Sequence, residues 1–153
     1  MTTQNHNAAI SNPALQLFNM FIGEWETVGT HPKLPDITLH GHTSFNWIEG
    51  GAFVIMHSKI NEGKIPASIA IFGSDNSKDE YFMLYFDERK VSRKCEVAFK
   101  DDVLKWWRSA PEFSQRYSYM FKDDNNTIIG KGEISKDGTT WEQDLNLIYN
   151  RVK

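Results

Sequence analysis

The sequence predicts an all-β fold, a closed antiparallel up-and-down barrel of about ten strands that follows a short N-terminal helix. Ten short segments with a strand-like pattern follow one another between Gly23 and Lys153, with little but turns between them. No helical pattern separates these segments, so neighbouring strands must pair as antiparallel hairpins. A sheet of this many strands curls into a barrel or splits into a sandwich. A barrel of about eight or more strands has room inside for side chains or for one small ligand, which favours a binding cavity.

The chain is predicted to divide into a tail and one domain. Residues 1–10 are polar and offer little apolar surface, so they are expected to form a disordered tail. The remaining residues, 11–153, form a single barrel domain, because a chain of 153 residues fits one domain with a sizeable core. The first ten residues lack a basic segment and an apolar run, so neither a secretory signal nor a membrane anchor is expected, and the predicted location is cytoplasmic.

A short helix is expected directly before the first strand. Asn12-Pro13 combines a capping side chain with proline in the first turn, which is a helix-start signal. Leu15, Phe18 and Ile22 then recur at three and four residues and form one apolar stripe over two to three turns. Gly23 is placed to end this helix in a left-handed conformation, and the stripe is expected to pack as a lid on one end of the barrel.

Each predicted strand is bounded by residues that favour turns. Glycine, asparagine and aspartate tolerate positive φ or bond their own backbone, and they cluster between the apolar segments. The first strand runs from Glu24 to Thr30 with Trp25 facing inward. The later strands are predicted at Ile37–Ile48, Ala52–Ile60, Ala67–Ser74, Tyr81–Asp87, Val91–Lys100, Val103–Ser109, Phe113–Lys122, Thr127–Ser135 and Thr140–Val152.

Charge and cysteine content exclude several classes of function. Seventeen basic residues are scattered among twenty acidic ones, and the formal net charge is -3. This distribution lacks the basic stripe of a phosphate-binding surface, so no nucleic acid partner is expected. Cys95 is the single cysteine, which excludes a disulfide framework or a cysteine-rich zinc site within one chain and suits a reducing compartment.

Several segments resemble known barrel families. Gly23-Glu24-Trp25 after a short helix, together with Asn150-Arg151 in the last strand, resembles the calycin pattern of lipocalins and fatty-acid-binding proteins. That resemblance implies that Arg151 packs on Trp25 and closes the barrel. The stretches Ile48–Phe53, Ile71–Asp75 and Leu84–Asp87 are similar to small bacterial lipocalin-like barrels of a DUF1579-type family of unknown function. This second resemblance implies a lipocalin-like domain with about ten strands and transfers no catalytic residue.

A more distant resemblance concerns nitrobindin-type haem barrels, which bind iron through a histidine near the C-terminus. No histidine occurs after His57 in this chain, and the last strand offers Gln143, Asp144 and Asn146 instead. Haem ligation of that type is therefore not expected, and no cofactor is predicted.

Arg93 is a charged residue on an otherwise apolar strand face. The alternate residues Val91, Cys95, Val97 and Phe99 are apolar, so Arg93 is expected to point inward. An uncompensated buried guanidinium is costly, so it needs a partner. That partner is Asp87, another acid or an anionic ligand, and an internal salt bridge is the more favoured alternative.

The last strand alternates cleanly and is expected to contribute to the interior wall. Trp141, Gln143, Leu145, Leu147 and Tyr149 share one face, which would place Gln143 inside as a hydrogen-bonding group for a ligand, a backbone group or water. Other strands add aromatic faces that carry hydroxyl groups, and such walls suit flat or amphipathic molecules but would also fill a ligand-free core. The predicted ligand-binding residues are Tyr85, Asp87, Arg93, Trp107, Gln115, Tyr117, Trp141 and Gln143.

Two features of the outer surface bear on a partner subunit and on a metal. Phe82, Leu84 and Phe86 form an apolar outer face, which must be covered by the helix, a loop or a second subunit and favours a homodimer. His40 and His42 lie two apart on one strand and share a face, but a metal site would need a third ligand. No nucleophile elbow, phosphate loop or zinc-protease motif occurs.

The favoured function is therefore a binding protein that holds a small apolar or amphipathic molecule inside the barrel, its polar end fixed by Arg93 or Gln143. The alternative is an enzyme that uses the cavity for acid–base chemistry through Asp87, His42 or a tyrosine. A haem or metal barrel that uses an N-terminal histidine is the third class.

Overall fold

The structure is a computed structural model that describes residues 12–75, 80–122 and 124–152. Its strands form a closed antiparallel barrel in which each strand pairs with its neighbours in the chain and the last strand pairs with the first. The predicted fold class is thus confirmed. The strands are β1 (Gly23–Thr30), β2 (Leu39–Ile48), β3 (Phe53–Ile60), β4 (Ser68–Asp75), β5 (Glu80–Asp87), β6 (Ser92–Lys100), β7 (Val103–Arg108), β8 (Ser114–Lys122), β9 (Thr127–Ser135) and β10 (Glu142–Arg151).

All ten predicted strands are present, and their ends differ from the predicted ones by at most two residues. The predicted tail at residues 1–10 lies outside the described residues, so its disorder stays a prediction. No helix in the described ranges is long and apolar enough to cross a membrane. A short 3₁₀ turn, Glu49–Gly51, connects β2 to β3.

The N-terminal helix is a 3₁₀ helix over Pro13–Met20, and its backbone leaves helical geometry at Leu15. Its capping signal is confirmed, since the Asn12 side chain accepts a hydrogen bond from the Ala14 N–H at 3.0 Å. The helix ends at Met20, so the predicted stop at Gly23 is wrong, although Gly23 does have a positive φ of 134° at the start of β1.

This helix closes one end of the barrel, as predicted. Leu15 and Phe18 are completely buried, and the Phe18 ring lies 4.8 Å from that of Phe72 on β4. Phe21, just after the helix, packs against Phe121 on β8 with centroids 4.7 Å apart. The aromatic core is therefore continuous from the helix across the barrel interior. We call this the closed end and the opposite opening the mouth.

Arg151 secures the closed end in the way that the calycin resemblance implied. Its guanidinium lies 4.2 Å from the ring centre of Trp25 and donates hydrogen bonds to the carbonyls of Met20 and Ile22 at 2.7 and 2.9 Å. The Trp25 indole N–H in turn donates to the Phe21 carbonyl at 2.8 Å. One cation thus connects the last strand to the first strand and to the helix, and its burial lowers the pKa of Arg151.

A bulge in β10 breaks the alternation that the sequence suggested. Gln143 pairs with Glu133 and Asn146 pairs with Lys131, so two residues of β10 lie opposite the single residue Gly132. Such an insertion reverses which side chains face inward on one side of it. Leu147 and later residues keep the predicted facing, whereas Gln143 is exposed on the outer face.

The outer face of β3, β4 and β5 is apolar. Register places Ile55, Ile71 and Leu84 side by side across the three strands. In the neighbouring rows Phe53 is 42% exposed and Phe86 is 36% exposed. The helix packs at the closed end instead of covering this face, so the predicted homodimer stays a prediction.

Candidate binding site

The interior is packed at the closed end and looser at the mouth. The rings of Phe21, Phe45 and Phe72 are completely buried near the helix. Toward the mouth, the inward residues of five strands are only partly buried, which leaves their polar atoms within reach of a molecule that enters from that side. These residues are Tyr85, Asp87, Arg93, Trp106, Arg108, Gln115 and Leu145.

The carboxylate of Asp87, at the rim of the mouth, is paired with residues of its own strand and of the turn that follows. It accepts hydrogen bonds from the Tyr85 hydroxyl at 2.7 Å and from the Arg89 guanidinium at 2.6 Å. Burial alone would raise the pKa of Asp87, but the hydrogen bonds from Arg89 and Tyr85 lower it to about 2. The carboxylate is therefore ionised and already paired at neutral pH.

Arg93 points inward as predicted, but its partner is neutral. Its Nη1 donates to Oε1 of Gln115 at 2.7 Å, across the intervening strand β7, and its guanidinium lies 5.3 Å from the ring centre of Phe113. No carboxylate in the described ranges pairs with Arg93, because Asp87 is committed to Arg89. The internal salt bridge favoured from the sequence is thus wrong, while Tyr85 and Gln115 do lie beside Arg93, as the predicted site requires.

A second guanidinium lies next to this group. Arg108 pairs in register with Gln115 and is half-buried. It forms no hydrogen bond or ion pair within the described part of the chain, and its charge, like that of Arg93, acts on the buried Cys95 thiol. Sequence reasoning missed Arg108, although it lies four residues after Leu104 on a short strand and therefore carries the same alternation signal.

The aromatic wall beside the two arginines uses Trp106 rather than Trp107. Trp106 stacks on Tyr117 with centroids 5.9 Å apart and planes 13° from parallel. The Tyr117 and Tyr149 hydroxyls hydrogen-bond each other at 2.8 Å inside the barrel. Trp107 is the neighbour of exposed Arg116 on the outer face, so an interior role for it is not supported.

Trp141 and Gln143 also lie outside the barrel, so their predicted place in the interior is wrong. Both line an outer cavity of about 770 Å³ over β7–β10, and Arg116 covers the Trp141 ring with its guanidinium 3.8 Å from the ring centre. The inward residues Trp106, Gln115 and Tyr117 border the same cavity, which therefore adjoins the mouth. Another outer cavity, of about 580 Å³ over β2–β5, has His57 and Phe86 in its lining.

The histidines do not form a metal site in the described residues, where no group of three suitable side chains comes together. His42 lies on the outer face between Glu24 and Glu26, and hydrogen bonds with Glu26 and then Glu24 raise its pKa. Among the inward groups, burial raises the pKa of Tyr85 to about 12 and that of Cys95 to about 11. These shifts lead away from neutrality and offer no support for the acid–base alternative.

Fold and closure together define a closed ten-stranded antiparallel β-barrel with a polar, partly open mouth. No protein-family model matches the chain, and no curated protein matches it either. The narrower DUF1579-type assignment therefore stays a prediction.

Solved structures show the same architecture. The chain is similar to the crystal structure of Rv2717c from M. tuberculosis, with a TM-score of 0.64 and 13% identity over 94% of this chain and 99% of that one. It is also similar to the S-type phycobiliprotein lyase CPES from Guillardia theta, with a TM-score of 0.60 and 9% identity over 100% of this chain and 99% of that one. At these identities the likeness establishes the fold, which is compatible with ligand binding.

Proposed function

We propose that this protein binds a small amphipathic anion at the mouth of the barrel, with the acidic group on Arg93 and Arg108 and the apolar part against Trp106. The observation that carries the proposal is the pair of inward guanidinium groups that have no acidic partner in the described ranges. A partly desolvated cation is costly until an anion compensates it. An acidic ligand would supply that compensation.

The chemistry of arginine fits this role. A guanidinium presents five N–H donors in a plane, and Arg93 uses one of them on Gln115. The remaining donors suit the two oxygens of a carboxylate or the three of a phosphate. Gln115 also holds Arg93 in place, so the cation is oriented before a ligand arrives, which lowers the entropic cost of binding.

The apolar part of the ligand would lie against the aromatic wall. Trp106 and Tyr85 are only partly buried, so contact with an apolar chain or ring would remove more of their surface from water. The phycobiliprotein lyase has the same barrel fold at 9% identity, which supports a barrel that can hold a ligand. The class of ligand is inferred from the side chains at the mouth.

The proposal is tested by titrating the protein with dodecanoate below its micelle-forming concentration and recording the indole N–H signals of the five tryptophans by NMR. The Trp106 signal is expected to shift, whereas Trp25, buried at the closed end, is expected to stay unchanged. Neutral dodecanol is expected to bind more weakly, because it cannot compensate the cations.

Arg93→Gln and Arg108→Gln are each expected to weaken dodecanoate binding by about tenfold, the effect of one charge-assisted contact. Lys94→Gln is the control, because it removes one positive charge from the exposed outer face of β6. Equal affinity in the parent and the Arg93 and Arg108 variants, or equal binding of dodecanol, would contradict the proposal.

A further inference from the structure

The outer cavity over β7–β10 has a composition that the mouth does not explain. Its cationic lining residues are Lys105, Arg116 and Lys131, and its one acidic lining residue is Glu133. The chain as a whole carries a net charge of -3. This cavity is therefore a locally cationic site on an acidic protein, and its volume of about 770 Å³ lies within the range of small-molecule sites.

Register arranges the lining in two rows across the strands. One row places Trp107, Arg116, Glu133 and Gln143 side by side. The row nearer the closed end places Lys105, Ser118, Lys131 and Asn146 side by side. The first of these, called the Trp107 row, thus adjoins a lysine row in which Lys105 and Lys131 flank Ser118.

Arg116 connects the Trp107 row to Trp141. This side chain donates to Glu133 at 2.6 Å and lies 3.8 Å from the ring centre of Trp141. One face of the guanidinium covers the indole, and the side chain is still 46% exposed. A guanidinium can stack a second flat ring on its free face, and Trp107, its neighbour on β7, supplies a further aromatic edge.

The lysine row has unused charge. Glu133 is occupied by Arg116, and neither Lys105 nor Lys131 forms an ion pair or hydrogen bond among the residues that the structure describes. Both ammonium groups are exposed, so their charge is available to an anion that lies over Ser118. Strands are about 4.8 Å apart, which puts the lysines on β7 and β9 roughly 10 Å apart at the backbone, a distance that two flexible side chains can bridge onto one acidic group.

The position of Trp141 in this site depends on the β10 bulge. The bulge turns Gln143 outward, and Trp141 lies with it on the same surface. Without the extra residue, the regular alternation would direct this segment to the interior. The bulge therefore contributes both groups to the outer site, and bulges are typical of places where a strand must redirect a side chain.

From these contacts we infer that the part of this cavity on the outer face of β7–β10, beside the mouth, is a second binding site for a flat aromatic anion. The ring of this molecule stacks on Arg116 between Trp107 and Trp141, and its acidic group, whether sulfonate, carboxylate or phosphate, is met by Lys105 and Lys131. The aromatic ring and the charge are both required, because exposed ion pairs alone are weak.

The test uses naphthalene-2-sulfonate and the tryptophan indole signals, each assigned by a single Trp→Phe variant. Naphthalene-2-sulfonate is expected to shift the Trp107 and Trp141 signals. Inorganic sulfate at the same concentration and 2-naphthol, which is neutral at pH 7, are each expected to shift them much less. Because Trp106 borders both sites, Arg93→Gln distinguishes them. Naphthalene-2-sulfonate binding that weakens in Arg93→Gln but not when Lys105 and Lys131 are replaced would place the probe at the mouth and overturn the outer site while leaving the proposed function intact.

The contribution of the two lysine charges is tested by removing them from the exposed outer face. The double variant Lys105→Gln and Lys131→Gln is expected to weaken naphthalene-2-sulfonate binding about fivefold to tenfold. The control is Lys59→Gln with Lys94→Gln, an equal change of charge on the outer face of other strands. Equal weakening in both double variants, or none in the first, would overturn the inference.

Discussion

Replacing Arg151 by alanine is expected to lower the free energy of unfolding by about 3 kcal/mol. The substitution removes two partly buried hydrogen bonds to the carbonyls of Met20 and Ile22, each worth roughly 1 to 1.5 kcal/mol when the donor is charged and the site is only partly dry. It also removes the cation from the face of Trp25, which adds about 0.5 to 1 kcal/mol. The two exposed bonds to the β8–β9 turn are expected to add little.

Urea denaturation monitored by tryptophan fluorescence measures this loss. With a slope of about 2 kcal/mol per molar for a domain of this size, the midpoint is expected to fall by about 1.5 M. Arg116→Ala is the matched control, because Arg116 also stacks on a tryptophan and bonds a partner at 2.6 Å but is 46% exposed. Its loss is expected to be about 1 kcal/mol or less. Equal losses in the two variants would refute the closing role assigned to Arg151.

Three further predictions concern other parts of the barrel. The pKa of His42, measured by NMR, is expected to lie above 6.5. The stabilisation from its charged form is complete below pH 6.5 and is expected to disappear as the pH rises through the raised pKa. A pKa at or below 6.5 would contradict the hydrogen bonds to the two glutamates. Gly130→Ala is expected to lower the free energy of unfolding by about 2 kcal/mol or more, since a Cβ there would lie 2.2 Å from the Tyr117 hydroxyl. Gly63→Ala is the control and is expected to be nearly neutral, because nothing lies within 4 Å of its added Cβ. Similar losses in the two variants would contradict the packed interior at Gly130. Light scattering is expected to find a dimer that Leu84→Glu dissociates, and a monomer at micromolar concentration for the parent chain would remove the homodimer.

The sequence was sufficient for the barrel because its strands depend on local signals. Alternation and turn residues define each hairpin, and every pair except the last with the first joins strands that follow one another in the chain. The closing contact between Trp25 and Arg151 was available only through the calycin resemblance. The helix type was not predictable, because a capping signal and an apolar stripe do not distinguish a short 3₁₀ helix from an α-helix.

The candidate site was predicted in part, and each error has a physical cause. Arg93 was correctly directed inward by alternation, but its partner Gln115 lies two strands away and no local pattern connects them. Trp141 and Gln143 were predicted on the wrong face of β10, because no residue in the bulge opposite Gly132 is typical of a bulge. Long side chains that meet across a barrel are set by register between distant segments, which a pattern of period two does not encode.

The barrel is locked by residues from opposite ends of the sequence, since Trp25 on the first strand pairs with Arg151 on the last. During synthesis, a ribosome releases the indole well before the guanidinium that will cover it. For most of translation the nascent chain therefore lacks Arg151, and the pairing of β1 with β10 cannot form. Contacts so distant in sequence form slowly. Apolar surface that stays open during this interval is prone to aggregation.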